Sequence, residues 1–377
     1  MSQWHSREIA RPFDLVLVFQ TESHIQDFRM VVFLSIFCIS FGLKTANATS
    51  FDVTLYGAKG DGKTDDSDLL GNITAPKTIE GWKGCDTSGQ LLLFGSVQGL
   101  TAYGPGQFDG YGSIWWPRSA RLDGPSCNCP SMLRFQNCNG LRLSGTTHIN
   151  SPKSHIHING CQDVQIGNLR ILAPEDSANT DGIDISQSSH VLIYHSIIGT
   201  GDDCVAIGDG TYDIHVNGIS CGPGHGISVG SLGRDGSFAA VEQVYVKNCS
   251  IYGTQNGLRI KTVPFGKGYA RGIIYEDIRL HNVGNPIIID QHYCLNTENH
   301  YCPAPSKADA VQVSNVTYIN INGTSATKQA ITFDCSEKVK CTEINTNRVR
   351  ITGEDVVAYC KNTQGNFIKT TPYIACN

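Results

Sequence analysis

The sequence predicts an all-β chain wound as a single-stranded parallel β-helix, and three observations predict it. Short apolar-alternating runs recur from about residue 130: Leu141-Arg142-Leu143, Val164-Gln165-Ile166, Val191-Leu192-Ile193, Ile214-His215-Val216, Val244-Tyr245-Val246 and Ile273-Ile274-Tyr275. Their first members stand 23, 27, 23, 30 and 29 residues apart, and a second β-rich run such as Ser196-Ile197-Ile198 follows within ten residues. Most runs are preceded by a polar Asn, Asp, His or Gln. The chain also holds 40 Gly and only 3 Met in 377 residues, a composition for many turns and not for a helical bundle. Finally, no stretch beyond the apolar segment near the N-terminus keeps a 3.6-residue period. Strand-turn-strand units of this length stack as a solenoid, with insertions placed in the turns. A leucine-rich repeat lacks its consensus here, and a propeller needs longer blades.

Taken from the N-terminus, residues 31–43 read VVFLSIFCISFGL without a charge. Arg29 precedes them and Ala46-Asn47-Ala48 follows, the layout of a secretory signal peptide. The run is too short for a membrane span, which needs roughly 20 residues. Met30 opens it, so residues 1–29 read as an extension, 30–48 as the signal peptide and 49–377 as the catalytic solenoid. The chain has 15 Cys, of which Cys38 lies in the signal, leaving an even number suited to an oxidising compartment. Sequons stand at Asn72, Asn248, Asn315 and Asn322. These features predict a secreted glycoprotein with no membrane segment in its mature form. A net charge of −5 excludes nucleic-acid binding through a global basic field, while leaving room for a local basic site.

Four polar motifs fall in successive units: Asn179-Thr180-Asp181, Gly201-Asp202-Asp203, Gly224-His225-Gly226 and Arg259-Ile260-Lys261. Asp181 to Asp202 is 21 residues and Asp202 to His225 is 23, each one coil. Coils advance about 4.8 Å, so the first three motifs are expected in a row across about 10 Å. Arg259 and Lys261, at i and i+2, share a strand face. Carboxylates on one face raise one another's pKa, so one stays protonated as an acid while others serve as base. That is the requirement for breaking a glycosidic bond. Taken singly, Gly-Asp-Asp and Gly-His-Gly are turn signals; their joint occurrence at coil spacing makes a site. His155 and His157 lack further ligands nearby and predict no metal. Gly57, Gly60 and Gly62 read as a turn and not as a nucleotide loop.

NTDG (179–182), GDDC (201–204), GHG (224–226) and RIK (259–261), in this order and spacing, resemble the motifs of plant polygalacturonases, glycoside hydrolase family 28. YGAKGDGKTDD (56–66), GPGQFDGYGSIWW (104–116), NSPKSHIHI (150–158) and DQHYC (290–294) support the resemblance, which spans roughly residues 51–377. It implies a right-handed parallel β-helix, no cofactor, and hydrolysis of α-1,4 bonds between galacturonates of pectin with inversion. By resemblance Asp202 is the general acid, Asp181 and Asp203 hold and deprotonate the water, and His225 tunes the acid. Arg259 and Lys261 would pair with a galacturonate carboxylate. Tyr293 would contact the sugar, and Asn179 joins the substrate-binding set. The location implied is the cell wall, and the chain is expected to act as a monomer. Cys204–Cys221, Cys335–Cys341 and Cys360–Cys376 are expected disulfides, while the pairings of Cys85, Cys127, Cys129 and Cys138 stay open.

The chain departs from the pattern after KTDDS (63–67), where the family has several dozen residues, including a capping helix and the first coil. Here GNITAPK (71–77), which resembles a later coil, follows almost directly. The gap reads as a deletion, and solenoids need caps to cover open edges. His292 stands where the plant pattern usually has Asn. Three rivals remain. A pectate lyase needs calcium-binding acidic clusters. A rhamnogalacturonan hydrolase is disfavoured by the GHG and RIK pair. A catalytically impaired, binding-only wall protein is motivated by the deletion.

Overall fold

The computed structural model describes residues 71–82, 89–119, 129–294 and 309–376. The leader-like run, the motif at 56–66, Cys85 and Cys127 lie outside the described residues. Within them the chain is almost wholly parallel β, with one four-residue helix, Trp116–Ser119. No described helix is long and apolar enough to cross a membrane.

Each coil contributes one strand to a ten-stranded sheet and further strands to a seventeen-stranded one. A representative coil runs through Ile183–Ser186, Ser189–Tyr194 and Ile197–Gly199 before re-entering the first sheet at Val205–Ile207. Ile183 pairs in register with Val205, Val205 with Ile227, and Ile227 with Leu258. The unequal steps show where extra residues loop out of the turns. Parallel crossovers of this kind are right-handed for steric reasons. The solenoid begins before the repeat visible in sequence, because Gln90–Gly95 pairs with Ser131–Gln136 and Asn72–Thr74 with Gln107–Asp109.

Alternation along each strand sends one side chain in two to the interior. Val164, Val191, Ile214, Val244, Ile273 and Val316 form one buried column in register. Burial of each such side chain contributes about 1.5–3 kcal/mol. The polar residues preceding the apolar runs have a conformational cause. Asp163, His190, Asp213, Gln243, Gly272 and Asn315 form a column in which every φ is positive, from 51° to 66°. Asn168, His195, Gly218, Asn248, Asp277 and Asn320 form a second left-handed column at a corner of the coil. Asn and Asp tolerate this region better than most side chains, and Gly tolerates it best. The sequon residues Asn72, Asn248, Asn315 and Asn322 are all exposed.

Disulfides join Cys204–Cys221, Cys335–Cys341 and Cys360–Cys376, as expected, and Cys294 is disulfide-bonded as well. The even count does not carry through to full pairing, because Cys138, Cys161 and Cys249 are buried thiols. Cys161 Sγ accepts the Cys138 N–H at 3.1 Å, and Ser188 Oγ accepts the Cys161 N–H at 3.0 Å. Thiol and hydroxyl thus occupy equivalent steps of one interior ladder, and the cysteine behaves there as a small core residue.

Candidate active site

The outer face of the ten-stranded sheet carries the chemistry. Residues between inward aliphatics point outward, so Arg134, His157, Asp184, Ala206, Ser228 and Arg259 form one outward column, each in register with the next. Small Ala206 and Ser228 leave a trough between Asp184 and Arg259. The turns that lead into these strands bring in the remaining groups. The register of Ile183 with Val205 sets Asp181 level with Asp203, and that of Val205 with Ile227 sets Asp203 level with His225. Asp202 therefore sits one residue ahead of the row. The expected alignment of Asp181, Asp202 and His225 is a diagonal and not a straight line.

Asp203 is 1% exposed and accepts hydrogen bonds on both oxygens. Its Oδ1 accepts from Ser228 Oγ at 2.7 Å and Arg259 Nη2 at 2.7 Å, and its Oδ2 accepts from Lys261 Nζ at 3.0 Å. Ser228 Oγ in turn accepts from Arg259 Nε at 2.9 Å. Two cations around one buried carboxylate offset its loss of water. Lys261 Nζ also lies 5.3 Å from the centre of the Tyr293 ring. Asp202 Oδ1 meets His225 Nδ1 at 2.9 Å and accepts the Asp203 N–H at 2.8 Å. The Asp181 carbonyl accepts from the His155 N–H at 2.8 Å and from its Nδ1 at 3.1 Å, which fixes the backbone under Asp181.

Titration directions separate these carboxyls. Burial, then the carboxylates of Asp184, Asp202 and Asp203, hold Asp181 well above the ordinary range despite Lys261. Burial pushes Asp184 up to about 7 against a hydrogen bond from Ser154, with Asp203 and Asp202 adding to the rise. Burial also acts to raise Asp202, but the His225 hydrogen bond and charge, Lys261 and the Asp203 amide outweigh it and hold Asp202 below its usual value. The directions thus separate Asp181 and Asp184, both raised, from Asp202, which is lowered, the kind of division that acid and base roles need.

A family model for glycosyl hydrolases family 28 matches residues 45–371. The chain belongs to glycosyl hydrolases family 28. A probable polygalacturonase of Arabidopsis thaliana is 42% identical over 381 residues, taking in 88% of this chain and 81% of the relative. Polygalacturonase-2 of Solanum lycopersicum is 41% identical, covering 79% of this chain and 65% of its own length. A Malus domestica polygalacturonase is 40% identical, covering 78% and 63%. The chain thus spans 81% of one relative and under two thirds of the other two. Among solved structures, a polygalacturonase from Erwinia carotovora superposes with a TM-score of 0.59 at 25% identity, over 77% of this chain and 83% of that one. An exopolygalacturonase from Thermotoga maritima gives 0.67 at 21% identity, over 80% and 79%. These neighbours share the right-handed parallel β-helix.

Along this trough the structure brings together Asp181, Asp202, Asp203, His225, Arg259, Lys261 and Tyr293. Asn179 stands at the edge, exposed and left-handed at φ 57°. Sequence reasoning missed Asp184 and Ser228. Both were findable: Ile183/Ile185 and Ile227/Val229 face inward, so the residue between each pair must face the trough. Ring nitrogens of His155 are taken by Asp181 and the Ser151 N–H, which leaves none for an ion. Asp202, Asp203 and His225 offer ligand atoms within 4.8 Å of one another. Arg259 and Lys261 already occupy the Asp203 carboxylate, so a dication there would have to displace them. Asp290, His292 and Asp334 form a second such group, in which His292 Nδ1 lies 3.1 Å from Asp334 Oδ2. That pairing is what the departure at His292 introduces.

Proposed function

We propose that this chain is a secreted wall enzyme that hydrolyses α-1,4 bonds between galacturonate units of pectin with inversion. One observation carries the reading: Asp181, Asp202 and Asp203 stand on adjacent coils beside Arg259 and Lys261, the pairing of proton-transfer groups with cations that a polyuronate requires. The relatives described above, a probable polygalacturonase and two polygalacturonases, support it. No metal or cofactor enters the scheme.

Asp202 protonates the leaving oxygen, with His225 positioned to supply or hold the proton on their shared hydrogen bond. Asp181 and Asp203 hold water on the opposite side of the sugar. Asp181 stands one coil from Asp202 and Asp203 one residue from it, and that spread is proposed to leave room for the water, as inversion demands. Arg259 retains further donors for the substrate carboxylate beyond those it spends on Asp203 and Ser228. Lys261 and Tyr293 form the adjoining wall, and Asn179 meets the chain at the rim.

The titration directions favour a second assignment, in which Asp181 gives the proton and Asp202 is the base. A substrate with a leaving group that needs no proton separates the two. Replacement of the acid by Asn is rescued on such a substrate, whereas replacement of the base is not.

Secretion is supported by the leader-like run, the disulfides and the exposed sequon asparagines. An internal deletion is supported by the Arabidopsis alignment, which extends over 381 residues while taking up 88% of this 377-residue chain. Residues 49–377, expressed in a secretory host, are expected to release reducing ends from polygalacturonic acid. Asp202→Asn is expected to lose that activity by roughly 10²–10⁴-fold. Soluble, folded wild-type protein that binds the polymer without cleaving it would favour the binding-only reading.

A further inference from the structure

Two sequence motifs, at 104–116 and 150–158, supply no group to the catalytic row, yet they pack against each other beside it. The Gly112 N–H donates to the Asn150 carbonyl at 2.7 Å, and Trp116 Nε1 donates to the Ser151 carbonyl at 3.0 Å. The approach is close, because a Cβ added to Gly110 or Gly112 would collide with the Asn150 and Ser151 backbone. Ser151 Oγ donates to the Ser154 carbonyl at 2.9 Å and closes the turn ahead of His155. Ser151, Ser154 and His155 are all buried.

The His155 ring stands between this braced turn and Asp181. Its Nε2 faces the Ser151 N–H at 3.3 Å, and its Nδ1 faces the Asp181 carbonyl at 3.1 Å. A backbone N–H only donates and a carbonyl only accepts, so Nε2 carries the lone pair and Nδ1 the proton. Burial holds the ring's pKa down at about 4 against the carbonyls of Asp181, Leu172 and Thr180. Burial, then His155, holds the nearby His148 at about 3, so both imidazoles are neutral near neutral pH. The Asp181 carbonyl also accepts the His155 backbone N–H at 2.8 Å, and the N–H of the same peptide unit, on Gly182, donates to the Asp203 carbonyl at 2.8 Å. That peptide unit is gripped from both neighbouring coils. A tilt of it would move the Asp181 Cα and the carboxyl with it. Any residue at 155 can make the backbone bond, whereas the ring bond needs this side chain.

We propose that His155 is a positioning residue for Asp181, a neutral imidazole whose Nδ1–H, donated to the Asp181 carbonyl, keeps that carboxyl in place for the reaction. The proposal rests on the hydrolase reading above and deepens it. The Ser151 N–H selects the tautomer, the 110–116 segment holds Ser151, and the ring passes that rigidity to the coil of Asp181. The role needs a donor at Nδ1 and no charge.

Three variants separate the donor from the bulk of the ring. His155→Asn keeps a donor near the place of Nδ1 and loses the acceptor for Ser151. His155→Gln keeps an acceptor near the place of Nε2 and loses the donor, and His155→Leu loses both. On polygalacturonic acid, the Gln and Leu variants are expected to lower kcat roughly 10²-fold, the scale of a misplaced reacting group, with KM little changed. His155→Asn is expected to retain most of kcat even where it melts lower. Equal losses in all three variants, or more activity in His155→Gln than in His155→Asn, would overturn the role. Nitrogen-15 NMR of the wild-type imidazole reads the tautomer without turnover; a proton on Nε2 in place of Nδ1 would overturn it as well. If the wild type does not cleave the polymer, the hydrolase reading fails. Carbon-13 titration of the Asp181 carboxyl, expected to shift in His155→Gln and His155→Leu but not in His155→Asn, then decides the positioning by itself.

Discussion

Asp184 shows how burial and like charge act on one residue. It sits three coils from Arg259 in the trough, and its carboxyl is pushed up to about 7. The ordinary carboxylate value in an unfolded chain is about 3.9. A group whose pKa is raised by folding contributes stability that is complete below the unfolded value and is lost as pH climbs through the folded one. Asp184 therefore weakens the fold progressively between about pH 4 and pH 7. Asp184→Asn is expected to melt roughly 2–4 °C higher than wild type at pH 7, with the gap closing at pH 4; an equal gap at both pH values would contradict the charge argument. Ser228 has a different task, because its hydroxyl joins Asp203 to Arg259. Ser228→Ala leaves both groups under-bonded, and hydrogen bonds to charged groups contribute about 1.5–3 kcal/mol. A fall in kcat of about tenfold or more is expected, with a far-ultraviolet spectrum like that of the wild type.

At the scale of single elements, the turn before each strand of the ten-stranded sheet decides the site, and its backbone is tightly confined. Gly201 donates its N–H to Thr180 Oγ1 at 2.9 Å, and an added Cβ would collide with the Ser177 carbonyl. Gly201→Ala must shift the turn that carries Asp202 and Asp203. Overpacking of this kind costs about 1–3 kcal/mol, and displacement of the carboxyls is expected to lower kcat more than it raises KM. Unchanged kinetics would show that the turn has slack. Gly226 meets the same constraint more severely, since its φ is +88° and a side chain there would strike the Asn256 carbonyl. The Gly residues of GDDC and GHG are thus positioning devices for their charged neighbours.

Over the whole molecule, stability is distributed along the stack, each coil resting on its neighbours. Aromatic side chains thread the C-terminal interior, with Tyr275 and Tyr318 stacked at 5.0 Å and Phe333 next to them. Both tyrosine hydroxyls are buried without a protein partner among the described residues. Tyr318→Phe is expected to raise the melting temperature by a few degrees, because an unpaired buried hydroxyl costs about 1 kcal/mol or more. A lower melting temperature would show that the hydroxyl is satisfied in solution. The three interior thiols give a second check. Alkylation under native conditions is expected to spare Cys138, Cys161 and Cys249, and alkylation after unfolding without reductant to label all three.

Much of this was legible in the sequence because a solenoid is nearly one-dimensional. A repeat of aliphatic runs fixes which residues face inward, and coil spacing turns distant motifs into neighbours. The columns through Val164 and Val191 and the grouping of Asp181, Asp202, Asp203 and His225 follow from that, as does Cys204–Cys221 among the disulfides. Register and depth needed the tertiary structure. A count of 21 or 23 residues does not say which residue is level with which, and the turns place Asp181 beside Asp203 with Asp202 one step ahead. Nor does spacing show that Arg259 and Lys261 close on Asp203, that Asp184 and Ser228 share their trough, or that Cys161 lies against Cys138 as a free thiol. Those outcomes depend on side-chain reach and on what else is buried within a few ångströms. Chain order does not carry such distances; packing sets them.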